Sequence, residues 1–450
     1  MSVKHLLVSA VLGVSLLTAT VAAPSVAQAA NPSSGSPPTV PQVTSATAGA
    51  AWLASQLTPS GFVPVSGEPA QPDLSGTANT VLALASAGDT ADASKALAYL
   101  ADNVDAYVTS DGSDGPGQLA LLILDAHALG SDPRHFGGTD LVSRLLTTEQ
   151  SSGLFGVQDA TYDGAYRQGL ALSALAAVGV TGTTAVDSAD AWLAGQQCPD
   201  GGWTSLVTTD NPCNGDPADY EGPDTNSTAQ AVEGLSAQGA LTTKAARSAL
   251  KFLESAQDPD AGWGYEPNAA DAPGSSDPDS TGLVIQAILA LGKSPSSSPF
   301  VQGSANPVST LLSFQLISGA GSGGFYYPGS TDPDLLATYQ AVPAVAGVTD
   351  PFDLAVTTAS LPGATVKSPY SATLQASGGT TPYTWKLVSG SGALPTGLRL
   401  DPSTGVISGK PKATGVSPFA VELFAAKSAT TPATRAIAWK TFTITTVAAT

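Results

Sequence analysis

The chain has 450 residues, 42% of them hydrophobic and only 12% charged, with 17 basic against 36 acidic side chains for a formal net charge of -19. It is too long for one ordinary domain and too apolar for disorder, so two or more packed domains are expected. The acidity excludes a sequence-independent grip on nucleic acid, which needs clustered cations to displace phosphate counterions, and it disfavours anionic membranes for the same reason.

Residues 1–29 read as a signal peptide: Lys4 and His5 precede the apolar run Leu6 to Leu17, and Ala27-Gln28-Ala29 has the small-x-small form of a cleavage site. That run is short for a bilayer span and no longer one follows, so a secreted protein without membrane insertion is expected. Residues 30–47, rich in Pro and Ser, read as a linker. Residues 30–350 then carry 33 acidic and 8 basic side chains, whereas residues 351–450 carry 3 and 8. Two domains with different surfaces are predicted, over 48–348 and 352–447.

Six segments of the acidic part share one plan. Each has an apolar helical pattern, a Gly-rich turn and a second apolar helix that stops at Gly88, Gly130, Gly179, Gly239, Gly292 or Gly347. Gly just past a helix end is what a left-handed cap requires. A helix pair cannot bury its apolar face alone, so stacked pairs are expected to close into a six-hairpin α/α toroid with the second helices inside. The only cysteines, Cys198 and Cys213, enclose 14 mostly turn-forming residues. Outside the cell they predict a disulfide contributing about 3 kcal/mol. A zinc site is the competing reading, and past residue 29 the chain offers it only His127 and His135.

Gln197-Cys198-Pro199-Asp200-Gly201-Gly202-Trp203 resembles the Gln-x-x-x-Gly-x-Trp repeat of the prenyltransferase and squalene-cyclase (terpenoid cyclase) superfamily. Gln257 to Trp263 matches it except for Ala261 where Gly is expected, and Gln56 to Phe62 and Gln150 to Phe155 are weaker copies. The resemblance implies that Gln197, Gly201, Trp203, Gln257 and Trp263 are structural, tying neighbouring repeats together. It also implies a candidate acid. Class II cyclases protonate an alkene with the central Asp of Asp-x-Asp-Asp at the start of an inner helix, and Asp277-Pro278-Asp279-Ser280 places Asp279 there, with Ser280 replacing the last Asp. The competing reading is that these residues only cap the helix. The Cys and His inventory does not suit a prenyltransferase zinc site, and no Gln follows Cys198 at the spacing of a thioester.

Polar residues expected on the inner helices supply candidate cavity positions: Asp125, His127, Tyr166, Arg167, Gln230, Gln286 and Tyr339. The loops are crowded with carboxylates, and Asp210, Asp216, Asp219 and Asp224 suit calcium on one reading and solvated turns on the other. No cofactor is otherwise required. Residues 352–447 change to alternating β runs, an all-β sandwich pattern. Gly378-Gly379-Thr380-Thr381-Pro382-Tyr383-Thr384-Trp385, Leu394-Pro395-Thr396-Gly397-Leu398 and Thr404-Gly405-Val406-Ile407-Ser408-Gly409 resemble a bacterial Ig-like family. The leading expectation is thus a secreted, non-catalytic binding protein for a small molecule or a cell-wall or surface ligand. A minimal class II terpene cyclase acting through Asp279 is the alternative, and a transcobalamin-like carrier a further one.

Overall fold

The computed structural model describes residues 40–156, 164–205, 213, 222–267, 276–352, 355–356, 358, 360–377, 380–388, 391–426 and 437–449. The signal-peptide reading lies outside them, as do Asp210, Asp216 and Asp219. No helix among them is long and apolar enough to cross a membrane.

The acidic part is helical: α1 (Val40–Gln56), α2 (Leu74–Ser86), α3 (Thr90–Ala101), α4 (Val104–Val108), α5 (Pro116–Ala128), α6 (Leu141–Thr147), α7 (Ala165–Ala177), α8 (Thr184–Gly195), α9 (Thr225–Gln238), α10 (Thr243–Ser255), α11 (Pro278–Ala290), α12 (Pro307–Ser313) and α13 (Leu335–Ala346). Helix α1 starts inside the segment read as linker. Its face Val43, Ala46, Ala50 and Leu53 is buried at helical spacing, and Pro41 sits in the first turn, where a missing N–H costs nothing.

Helices α2, α5, α7, α9, α11 and α13 pack on one another in that order, and α13 returns to α2. Burial sets them apart from the first helices of each pair: α5 is covered nearly all round, from Leu119 to Ala126, whereas α10 buries only Ala249, Phe252 and Leu253. The six glycines that follow these helices have φ between 67° and 77°, the left-handed cap that stops each one.

The repeat motif acts between pairs. The Gln197 amide donates to Gly201 O at 2.9 Å within its own turn and to Ala245 O on the next outer helix at 3.0 Å. Gln257 does the same with Ala261 O and Phe300 O. In the last repeat Gln315 donates to Gly323 O and to Ser45 O of α1. The indoles of Trp203 and Trp263 are fully buried and donate to Leu193 O and Leu253 O. Their backbone amides donate to Thr228 and Thr281 on the following inner helices. Gln56 instead bonds within its own helix, to Trp52 O and Ser55, so the first copy has lost the bridge.

Gly201 has φ 104°, and a Cβ there would run into the Ser248 carbonyl. Gly201→Ala is therefore expected to cost about 3 kcal/mol in denaturant unfolding. Ala261 occupies the equivalent turn with φ 72°, so Ala261→Gly should be neutral or gain up to about 1 kcal/mol. Cys198 and Cys213 are joined in a disulfide.

The C-terminal part is β. One sheet runs Ala364–Thr365, Ile437–Val447, Gly415–Ala426, Thr380–Leu387, and a second runs Leu398–Leu400, Val406–Gly409, Tyr370–Thr373. Trp385, Ile407, Phe419, Val421, Leu423, Phe442 and Ile444 form its core. This domain lies against the helical one. Val388 and Ala420 join the helical core, with Phe352 packed on it, and Lys440 is close enough to Asp89, the cap of α3, to feel its charge.

Candidate active site at the start of the inner helices

Four inner helices begin with the same device. Asp73, Asp224, Asp277 and Asp334 each accept a backbone N–H from three residues on, at 2.8, 2.6, 2.7 and 3.0 Å. This is N-capping, and in Asp277 it engages both oxygens, the second accepting the Ser280 hydroxyl at 3.1 Å. It does not account for Asp279. That residue lies in the first turn of α11 but is not its cap, and its Oδ1 is buried without a hydrogen-bond partner.

The surroundings of Asp279 are aromatic and carboxylic. The hydroxyl of Tyr327, just after the sixth turn, bonds to Asp279. Tyr166 on α7 bonds to Gln340 on α13, and Tyr339 lies beside Tyr166; the Asp279 charge acts on both. These tyrosines are half-buried. Burial raises all three hydroxyls, Tyr166 to about 12. Burial, and then the neighbouring Asp279 carboxyl, hold Asp277 up to about 8. Two carboxyls this close cannot both ionise cheaply, so the pair retains one proton at neutral pH. Asp277 also hydrogen-bonds to the Asp279 side chain, so the proton that burial keeps on Asp277 lies in its bond to Asp279.

Of the predicted cavity residues, the structure brings together Tyr166 and Tyr339. Arg167 lies along α5 at Gly117. Gln230 and Gln286 are buried deeper, within α9 and α11, and the Gln230 side-chain N–H group has no partner. Asp125 is fully buried near the opposite end of α5, and His127 follows it at the end of that helix. Of the acidic-loop residues, Asp224 has one oxygen on the Ser227 amide and the other on the Ser205 amide. Burial lifts it to about 6. Among the described residues no group of three or more His, Cys, Asp or Glu is arranged to hold a metal ion. Tyr327 and Gln340 escaped the sequence reading, although Tyr327 follows Phe325 as Tyr265 follows Trp263.

Residues 141–276 match the family described as "Squalene-hopene cyclase C-terminal domain". The helical part resembles the squalene-hopene cyclases. The matched span ends immediately before Asp277. Residues 353–445 match the family described as "Putative Ig domain". Among solved structures, the chain is similar to the type II terpene cyclase MstE from Scytonema (14% identity, TM-score 0.47, covering 68% of this chain and 98% of that one). It is also similar to a protein from Actinoplanes (13% identity, TM-score 0.44, covering 68% and 99%). None of the curated proteins matches the chain.

Proposed function

We propose that the protein is a secreted class II-type cyclase whose helical domain is a closed α/α toroid, with Asp279 as general acid toward a polyprenyl alkene. The observation that carries this reading is that Asp277, not Asp279, caps α11, which leaves Asp279 with a buried unpartnered oxygen beside a carboxyl that keeps a proton. The return of α13 to α2 and the Gln315 to Ser45 contact support ring closure.

The step moves one proton. The acidic hydrogen of the carboxyl pair passes to the terminal alkene carbon, the alkene π electrons form the new C–H bond, and the cation is captured by the next alkene of the same chain. Loss of a proton from the final cation to water ends the sequence and keeps the balance. Tyr166, Tyr327 and Tyr339 present π faces and a low-dielectric wall to the developing positive charge. The Tyr327 hydroxyl bond fixes the Asp279 carboxyl in place.

The test is incubation of the purified protein with polyprenyl substrates of several lengths in deuterated water. A cyclised product carrying one added deuterium is expected, and its absence across the panel overturns the enzyme. Ser280 in place of the third Asp favours a second reading, a binding protein on the same scaffold. That reading predicts a bound small molecule in native mass spectrometry without turnover. The acid chemistry requires no metal, and calcium held by Asp210, Asp216, Asp219 and Asp224 would be a separate, stabilising event read as a rise in Tm on adding the ion.

A further inference from the structure

The acid chemistry leaves unused a second polar cluster, where the inner helices end and the two domains join. Asp125 is fully buried, and neither of its carboxyl oxygens has a hydrogen-bond partner. Glu233, 1% exposed on α9, accepts the Thr349 hydroxyl at 3.0 Å and the Asp350 backbone N–H at 3.1 Å. Thr349 and Asp350 belong to the short segment between the Gly347 cap of α13 and Phe352, so a helical-domain carboxylate grips the hinge itself. The Asp350 charge acts on both Asp125 and Glu233.

The groups facing this trio supply no compensation. Tyr166 of α7 faces Glu233 and Asp350, and Tyr107 of α4 faces Asp125. Helices α2 and α13 carry no charged side chain, α11 carries only Asp279, and Glu233 is the one charge of α9. His127, two residues beyond Asp125, points to a different side of α5. From the β domain, Lys440 is directed at Asp89. Among the described residues no cation acts on any of the three carboxyls. Three anions in one desolvated joint are not sustainable without such a partner.

We propose that this joint is a proton-operated latch: it holds the β domain on the helical domain while Asp125, Glu233 and Asp350 retain protons, and it releases the domain when they ionise. Burial holds Asp350 up to about 7 and, with the Asp350 charge, keeps Asp125 and Glu233 well above the usual carboxylate range. The docked state therefore binds more protons than the released one. Docking is complete below the ordinary carboxylate values and weakens as pH rises toward and through about 7, by roughly tenfold per pH unit for each proton lost. Release opens Val348, Val388 and Ala420 to water, which opposes it and sets how far it goes.

The experiment is small-angle scattering and hydrogen exchange of the full mature chain from about pH 5 to about pH 9, with exchange corrected for its intrinsic pH dependence. The expected result is a larger radius of gyration and lost protection at residues 347–350 on the alkaline side, both reversed on acidification. Glu233→Gln keeps an acceptor for Thr349 and Asp350 while removing one titrating carboxyl, and should release less steeply with pH than the wild-type chain, by one proton's worth; Asp125→Asn is a second variant with the same expectation. Unchanging dimensions and protection in the wild-type chain overturn the latch, as does a Gln variant that follows the wild-type curve. The cyclase reading is untouched by either outcome.

Discussion

Asp279→Asn is expected to leave folding intact and to lower deuterium incorporation into cyclised product by about 100- to 10,000-fold, the range of a positioned general acid. The amide preserves the shape of the side chain and removes its capacity to pass on the proton it shares with Asp277. Asp277→Asn should act differently. It keeps most of the cap, through an Asn oxygen on the Ser280 amide, but removes the neighbour that shares the proton, so it should shift the pH profile more than the fold. In the wild-type chain the burial that holds Asp277 up to about 8 keeps a proton on Asp277, in its bond to Asp279, through neutrality. Turnover should therefore be flat at neutral pH and fall as pH climbs past about 8, and a rate that rises through that window would contradict the assignment. Tyr327→Phe, which loses only the bond that orients Asp279, should cost about tenfold.

The second large effect is structural. Trp203 is wholly buried, and its indole N–H is spent on Leu193 O at 2.7 Å. Trp203→Ala should lower stability by about 3–5 kcal/mol through the cavity, while the Leu193 carbonyl keeps its bond from the Gln196 N–H. Gln197→Ala leaves Gly201 O and Ala245 O without their donor, and should cost about 1–3 kcal/mol. Both are measured by urea denaturation with the Cys198–Cys213 bond kept oxidised. A loss under about 1 kcal/mol for Trp203→Ala would mean the repeats are not tied together through this turn.

The helix pairs were legible because their signals are local: terminal glycines, apolar faces and the spacing from Gln197 to Trp203 and from Gln257 to Trp263. The start of α1 was not, since the Pro and Ser content up to Pro41 hides an apolar face that begins only at Val43. Asp279 was legible as a candidate, but its freedom from capping was not. Asp277 and Asp279 both stand at the start of α11, and only the backbone angles there decide which carboxyl meets the Ser280 amide. The Glu233 to Asp350 contact joins residues 117 apart, and no periodicity reports a pairing of that kind. A lone Glu among the small and apolar residues of α9 is the only trace it leaves in the sequence.

The hydrogen bonds between Ser45 and Gln315 span 270 residues. During synthesis, which delivers the chain from its N-terminus, α1 precedes the other helices, yet its partner Gln315 in the last repeat arrives only after α2 to α12 have passed. The earliest segment must wait, with Val43, Ala46, Ala50 and Leu53 uncovered, until α12 and α13 appear. A domain that joins its two ends in this way has a late, all-or-nothing final step, and its most vulnerable moment falls just before completion.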